Sequence, residues 1–308
     1  MSRAPVAEPP LPTRLIHYTP LRYPGGKAKL AGFAKRIIEE NRLNDGTYVE
    51  PYAGGAAIAL ELLFHEYVSE VYINDISRPV YAFWKSTLDH TEKLLRFIRD
   101  TPLTVRAWDK QKQILAHQAE YDDLALGSAM FFLNRTNRSG ILNGGIIGGR
   151  DQTGPWKIDA RYNKRELSFR IESIAKLRRR IHLSGMDALS FICSNTAKWP
   201  ESTLIYLDPP YYQKGKDLYL NYYSHEDHAH VARTITEKIR RQKWMVSYDD
   251  ARPIRRMYAC YRHLTYRIGY SAREVRAGRE VMFFSDHLQV PSLSREMKAV
   301  KRQVHVKA

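Results

Sequence analysis

Apolar residues recur at helical spacing from Lys29 to Asn41 and again from Ala56 to His65, and they gather into short runs at Thr47 to Glu50 and Val71 to Asn74. Alternation of helix and strand in this manner predicts a parallel sheet covered by helices. Comparable runs, bounded by polar or turn residues, resume at Leu204 to Leu207, Trp244 to Ser247 and Val281 to Ser285, so the sheet is predicted to be split in sequence. The intervening stretch reads as mostly helical. It is broken over Asn137 to Gly154, where Gly140, Gly144, Gly145, Gly148, Gly149 and Gly154 predict a mobile loop or hairpin. From Ile171 to Ile181 the spacing predicts a helix with Ile171, Ile174, Leu177 and Ile181 on one face and Lys176, Arg178, Arg179 and Arg180 largely on the other. Trp84 and Trp108 fall in apolar helical patterns and are expected in the core.

The chain of 308 residues is therefore divided into a flexible, proline-marked lead-in at 1–20, an α/β core in two parts at 21–95 and 183–286, an insertion at 96–182, and a basic tail at 287–308. The tail lacks periodicity and is expected to be poorly ordered.

Charge changes the picture. Lys and Arg number 49 against 33 Asp and Glu, a net +16, which would draw a polyanion and points to nucleic acid as partner. No run approaches the roughly 18 apolar residues of a membrane span, and the N-terminus lacks a signal-peptide core, so a cytoplasmic protein with no membrane partner is expected. Cys193 and Cys260 stand alone without a CxxC pairing, against both a disulfide framework and a zinc site. His225, His228 and His230 match no standard zinc spacing, and Ser224 followed by Asp227 reads as a helix cap; no metal is expected.

Two segments carry candidate chemistry. Glu50-Pro-Tyr-Ala-Gly-Gly-Ala-Ala runs from a strand through a small-residue turn into a helix, which lets a bulky cofactor lie against the backbone. Asp75 closes the next strand, about 20 residues past Gly54, where a carboxylate can accept hydrogen bonds from ribose hydroxyls. Leu204-Ile-Tyr-Leu-Asp-Pro-Pro-Tyr-Tyr is an apolar strand that ends in an acid, two prolines and two aromatics. The prolines fix φ and remove N–H donors, so the Asp208 carboxylate and the Pro209 carbonyl become aimed acceptors suited to an amine. Tyr211 beside them can stack on a base, worth about 1 to 3 kcal/mol.

With these residues in view, the sequence resembles the DNA adenine methylase type of N6-adenine-specific DNA methyltransferase. Leu21-Arg-Tyr-Pro-Gly-Gly-Lys, Glu50-Pro-Tyr-Ala-Gly-Gly and Asp208-Pro-Pro-Tyr match in the family's order. Phe132-Leu-Asn-Arg with Ser139-Gly looks like the opening of its target-recognition hairpin, and Glu280-Val-Met-Phe-Phe is similar to its last core strand. The resemblance implies a Rossmann-like S-adenosylmethionine-dependent core with an inserted helical and β-hairpin target-recognition domain. By it, Tyr23, Lys27, Glu50, Gly54, Asp75 and Asp208 are expected at the methyl donor, and Asp208, Pro209, Pro210 and Tyr211 at the adenine. Asn134, Arg135, Arg138, Ser139, Trp156 and Tyr162 are the candidate contacts to double-stranded DNA, and a cognate restriction endonuclease is a candidate partner. Arg138 stands where the family often has an aromatic-polar pair, so the recognised site does not transfer.

The implied reaction moves a methyl group to N6 of an adenine flipped out of the duplex. The same corner would also serve cytosine N4 or an RNA base, and a regulator that keeps the fold but not catalysis is the rival of another class.

Overall fold

The computed structural model describes residues 18–22, 27–213, 223–269, 277–292 and 298–299. Tyr23, residues 1–17 of the lead-in and most of the tail lie outside them. Helices α1 (Ala31–Glu40), α2 (Ala57–Phe64) and α3 (Arg78–Asp89) alternate with strands β1 (Gly46–Glu50) and β2 (Val68–Asn74). Four helices follow, α4 (Thr91–Asp100), α5 (Val105–Ala116), α6 (Asp123–Thr136) and α7 (Lys164–Lys176). The chain then returns to β3 (Ile181–Ser184), α8 (Ala188–Asn195), β4 (Thr203–Leu207), α9 (His225–Lys238), β5 (Lys243–Asp249), α10 (Arg252–Met257), β6 (Arg262–Gly269), β7 (Ala277–Phe284) and β8 (Lys298–Ala299).

Among the described residues these strands form one 8-stranded sheet in the order β3-β2-β1-β4-β5-β7-β6-β8. Strands β3, β2, β1, β4 and β5 are parallel, and β7 enters antiparallel between β5 and β6. All residues of β1 and β4 are buried, as central strands covered on both faces must be. Successive side chains leave opposite faces. Tyr48, Leu204, Tyr206, Met245 and Met282 join the large core shared with α1 to α7. Val49, Ile205, Leu207, Val246 and Val281 join a second core under α8, α9 and α10. Ser224 and Asp227 form the expected capping box at the start of α9.

The structure departs from the sequence reading in several places. Strands β3 and β6 were not expected from the pattern. The helix expected to reach Ile181 ends at Lys176; Arg178–Arg180 form a 3-10 turn and Ile181 opens β3. Arg180 does not sit on a free basic face, because its guanidinium forks onto both oxygens of Glu66 at 3.0 and 2.8 Å. The segment after α6 is no strand hairpin: an isolated antiparallel bridge, Asn137 with Ile146, joins its arms. The described end of the lead-in is packed, with the Tyr18 ring stacked 4.3 Å from Phe64. The start of the tail is packed too, with Leu288 fully buried. Trp84 and Trp108 are in the core as expected.

Candidate active site

In chain order the sheet grows outward from β1 to β2 and β3, then restarts on the other side with β4 and β5. The carboxyl ends of β1 and β4 therefore form a switch point, where open α/β sheets leave a crevice for ligands. The Glu50 to Ala56 turn leaves β1 there, Asp75 follows β2, and Asp208 follows β4.

The first turn is held from several sides. Gly54 (φ 49) and the non-glycine Ala56 (φ 46) are both left-handed, a strained geometry for a residue with a Cβ. Trp84 Nε1 donates to the Gly54 carbonyl at 2.9 Å and Thr19 Oγ1 to the Gly55 carbonyl at 2.6 Å. Asp75 accepts the Gly54 N–H on Oδ2 and the Ser77 N–H on Oδ1, each at 2.9 Å. Burial raises its pKa to about 6 against the opposing pull of those two donors. Ile76, the next residue, is 50% exposed, and Met186 after β3 is 40% exposed. Glu50 lies beneath the turn, not on its surface. It is 4% exposed, and its Oε1 accepts Tyr48 OH at 3.1 Å and Ala59 N–H at 3.2 Å. Burial pushes its pKa up to about 8, so it is largely protonated at neutral pH.

The second half centres on Asp208. Lys27 Nζ lies 2.9 Å from Asp208 Oδ1 and 3.3 Å from Glu280 Oε2. Ser247 on β5 donates its hydroxyl hydrogen to the same Oδ1 at 2.7 Å, so it accepts from Tyr206 OH at 2.8 Å and from Lys27 at 3.1 Å. Both contacts to Asp208 land on Oδ1, and among the described residues Oδ2 has no hydrogen-bond partner. Burial raises the Asp208 pKa, with Lys27 and Ser247 opposing it. For Lys27 burial alone would lower the pKa, but the carboxylates of Asp208 and Glu280 hold it well above the ordinary lysine value.

Pro209 is buried and Pro210 half-buried. Tyr211 is 5% exposed, its hydroxyl bonded to Glu280 Oε1 and its ring centroid 5.4 Å from Lys27 Nζ. Asp249 at the end of β5 receives the N–H groups of Tyr212 and Gln213, each at 2.8 Å. Ser247 and Asp249 were not singled out in the sequence, and Glu280 was named only as the start of the last core strand. The available signal was a polar residue inside or ending an otherwise apolar strand.

The DNA candidates scatter. Asn134 is 1% exposed and works as an internal clamp: Oδ1 accepts Arg22 N–H at 2.7 Å, and Nδ2 donates to the carbonyls of Arg22 and Gly140 at 2.8 and 3.0 Å. Tyr162 is 4% exposed against Phe131 and Phe132, so it is a core residue and no base contact. Ser139 is left-handed (φ 57) in the turn beyond α6. Arg138 is exposed, and Trp156 is 66% exposed with the Arg161 guanidinium 5.9 Å from its ring. Arg135 donates Nε to the Arg161 carbonyl at 2.8 Å; burial, then the charges of Arg22 and Arg170, lower its pKa to about 10.

A mixed sheet with this switch point is consistent with a methyltransferase-like α/β fold. The model of the D12 class N6 adenine-specific DNA methyltransferase family matches residues 23–267, most of the chain, and the protein belongs to that family. It is therefore an enzyme of adenine N6 methylation, with DNA as its substrate. The comparison with curated proteins gave no match. Among solved structures, protein LPL1258 from Legionella pneumophila str. Philadelphia 1 aligns over 85% of this chain and 86% of its own at 11% identity; its TM-score of 0.30 is too low to bear on function. Among the described residues, no helix is long and apolar enough to cross a membrane.

Proposed function

We propose that the protein takes its methyl group from S-adenosylmethionine and delivers it to N6 of an adenine swung out of a DNA duplex, at the corner running from Asp208 to Tyr211. The observation that carries this reading is the hold on Asp208: Oδ1 is fixed by Lys27 and Ser247, and Oδ2 is left to accept from an incoming amine.

The donor side fits an adenosine. Asp75 follows β2, where a carboxylate can accept from ribose hydroxyls, its contact with the Gly54 N–H ties it to the turn after β1, and the exposed Ile76 next to it offers an apolar side chain to a planar base. When bound, the donor supplies an electrophilic methyl on a sulfonium. Lys27 serves this site through Asp208, and Glu50 serves it by supporting the turn.

Adenine N6 is a poor nucleophile because its lone pair is shared with the ring. Hydrogen bonds from N6 to Asp208 Oδ2 and the Pro209 carbonyl favour a more tetrahedral nitrogen, and positioning supplies much of the rate. Once the methyl has arrived the N6 proton is acidic, and Asp208 or water takes it. Extruding the base costs a few kcal/mol, which the pocket must offset.

The insertion supplies the reader. Arg22 lies within electrostatic reach of Arg161 and Arg135, and Arg135 within reach of Arg170 and Glu166; a backbone phosphate would relieve the repulsion among the arginines. Trp156 and Arg138 project from the glycine-rich segment toward solvent, where a duplex can meet them. A cytoplasmic location and a cognate restriction endonuclease belong to the same reading. The test is to incubate the protein with duplex DNA and labelled donor, digest to nucleosides and identify the product by mass. N6-methyldeoxyadenosine is expected; N4-methyldeoxycytidine or no transfer would overturn the proposal.

A further inference from the structure

Glu280 is 1% exposed on β7, where it opens the run Val281, Met282, Phe283 and Phe284, which are all buried. A carboxylate there costs several kcal/mol in lost hydration unless donors replace the water. The donors present come from three separate parts of the chain. Tyr211 OH reaches Oε1, while Tyr266 OH on β6 at 2.7 Å and Lys27 Nζ at 3.3 Å reach Oε2.

The strand register adds a second cost. Glu280 pairs directly with Asp249 across the β5–β7 ladder, and like charges directly opposite each other destabilise a sheet. Both acids are spent on the same corner: Asp249 takes the backbone N–H groups of Tyr212 and Gln213, and Glu280 takes the hydroxyl of Tyr211. Two apolar residues would stabilise this part of the sheet more cheaply, so stability alone does not account for the pair.

We infer that Glu280 is a positioning residue of the methyl-transfer site, which fixes the Tyr211 ring through Oε1 and holds Lys27 against Asp208 through Oε2. Tyr266 has no part in the corner and serves to aim the Glu280 carboxyl. Asp208 is held also by Ser247, which Tyr206 supports, and neither of these hydrogen bonds involves Glu280. Losing Glu280 should therefore lower turnover without emptying the site. The inference rests on the proposed function for its kinetic readout, but its geometric content stands apart from activity.

The test compares the parent with Glu280→Gln, Tyr211→Phe, Tyr266→Phe and the double variant Glu280→Gln/Tyr211→Phe, in full-length protein carrying fluorotyrosine. The Tyr211 fluorine resonance is assigned by its loss in Tyr211→Phe. Glu280→Gln is expected to shift that resonance and to lower kcat about tenfold or more, with affinities for S-adenosylhomocysteine and duplex changed less than about threefold. The double variant should be no slower than the slower single by more than about twofold, because both substitutions break one contact. If Glu280→Gln does not fold, Tyr266→Phe leaves the carboxylate in place and should move the Tyr211 resonance and kcat in the same direction by less. An unmoved Tyr211 resonance, or losses that multiply fully in the double variant, would overturn the inference. A resonance shifted in Glu280→Gln, together with a parent that methylates no adenine, would keep the Glu280 contact and instead remove the function proposed above.

Discussion

The backbone N–H of Gly54 donates to Asp75 Oδ2 at 2.9 Å, so the residue placed to read a ribose also ties the end of β2 to the glycine turn after β1. That double duty has a measurable cost. Burial raises the Asp75 pKa from its ordinary 3.8 to about 6, so its ionisation is easier in the unfolded chain than in the native one. The donor-free protein should lose stability as pH climbs from about 4 to about 6 and level off above. Ribose hydroxyls need the ionised carboxylate, so affinity for S-adenosylhomocysteine should tighten over the same interval. Asp75→Asn, whose single amide oxygen can accept only one of the Gly54 and Ser77 N–H groups, should weaken that affinity about tenfold in calorimetric titration and lower thermal stability. Unchanged affinity in this variant would remove Asp75 from the donor site.

Glu50 offers a cleaner electrostatic test because it meets only protein. Its pKa is pushed up to about 8 chiefly by burial, so the native state loses stability as pH rises from the ordinary 4.5 through about 8. Glu50→Gln keeps an acceptor for Tyr48 OH and Ala59 N–H and should flatten that decline, with little change at the acid end. Glu50→Ala leaves those two donors without an acceptor and should cost about 1 to 3 kcal/mol in denaturant unfolding.

Asp208→Ala should abolish measurable turnover or reduce it on the order of 100-fold, since an aimed acceptor is lost at the reacting nitrogen. Donor binding should survive in weakened form, because the proposed ribose contact lies at Asp75. Turnover within a few-fold of the parent in a labelled-donor assay would count against the proposed role.

On the DNA side, charge and shape should fail differently. Arg161→Gln should weaken binding to all duplexes alike and reduce the dependence of log affinity on log salt by up to about one unit. Trp156→Ala should act mainly on preference for the methylated site over a scrambled duplex. Equal loss on both duplexes would make Trp156 a backbone contact instead. Removing the whole of 137–162 is not an equivalent experiment: Asn137 accepts Trp108 Nε1 at 2.6 Å inside the core, and Tyr162 is buried with Phe131 and Phe132.

By itself the sequence determined the elements whose burial leaves a local signature. The apolar runs at β1, β4 and β5, the capping box of α9 and the acid-proline corner at Asp208 follow from period, cap chemistry and proline sterics, all legible within a few residues. The family motifs lie in the same stretches, which is why the family was recognisable before any contact was known. Only the tertiary structure decided the neighbours. Strands β3 and β6 are short or mixed in polarity, and Arg180 at the edge of β3 is occupied by Glu66, a partner far away in sequence. Asn134 and Tyr162 carry the same residue types a base reader would, and packing alone turns them inward. Lys27, Ser247 and Glu280 meet around Asp208 and Tyr211 because β7 enters antiparallel beside β5, a pairing that no local pattern encodes. Hydrophobic period sets which face of an element is buried; which charged groups come to share that burial is fixed by strand order and register, which only the folded chain supplies.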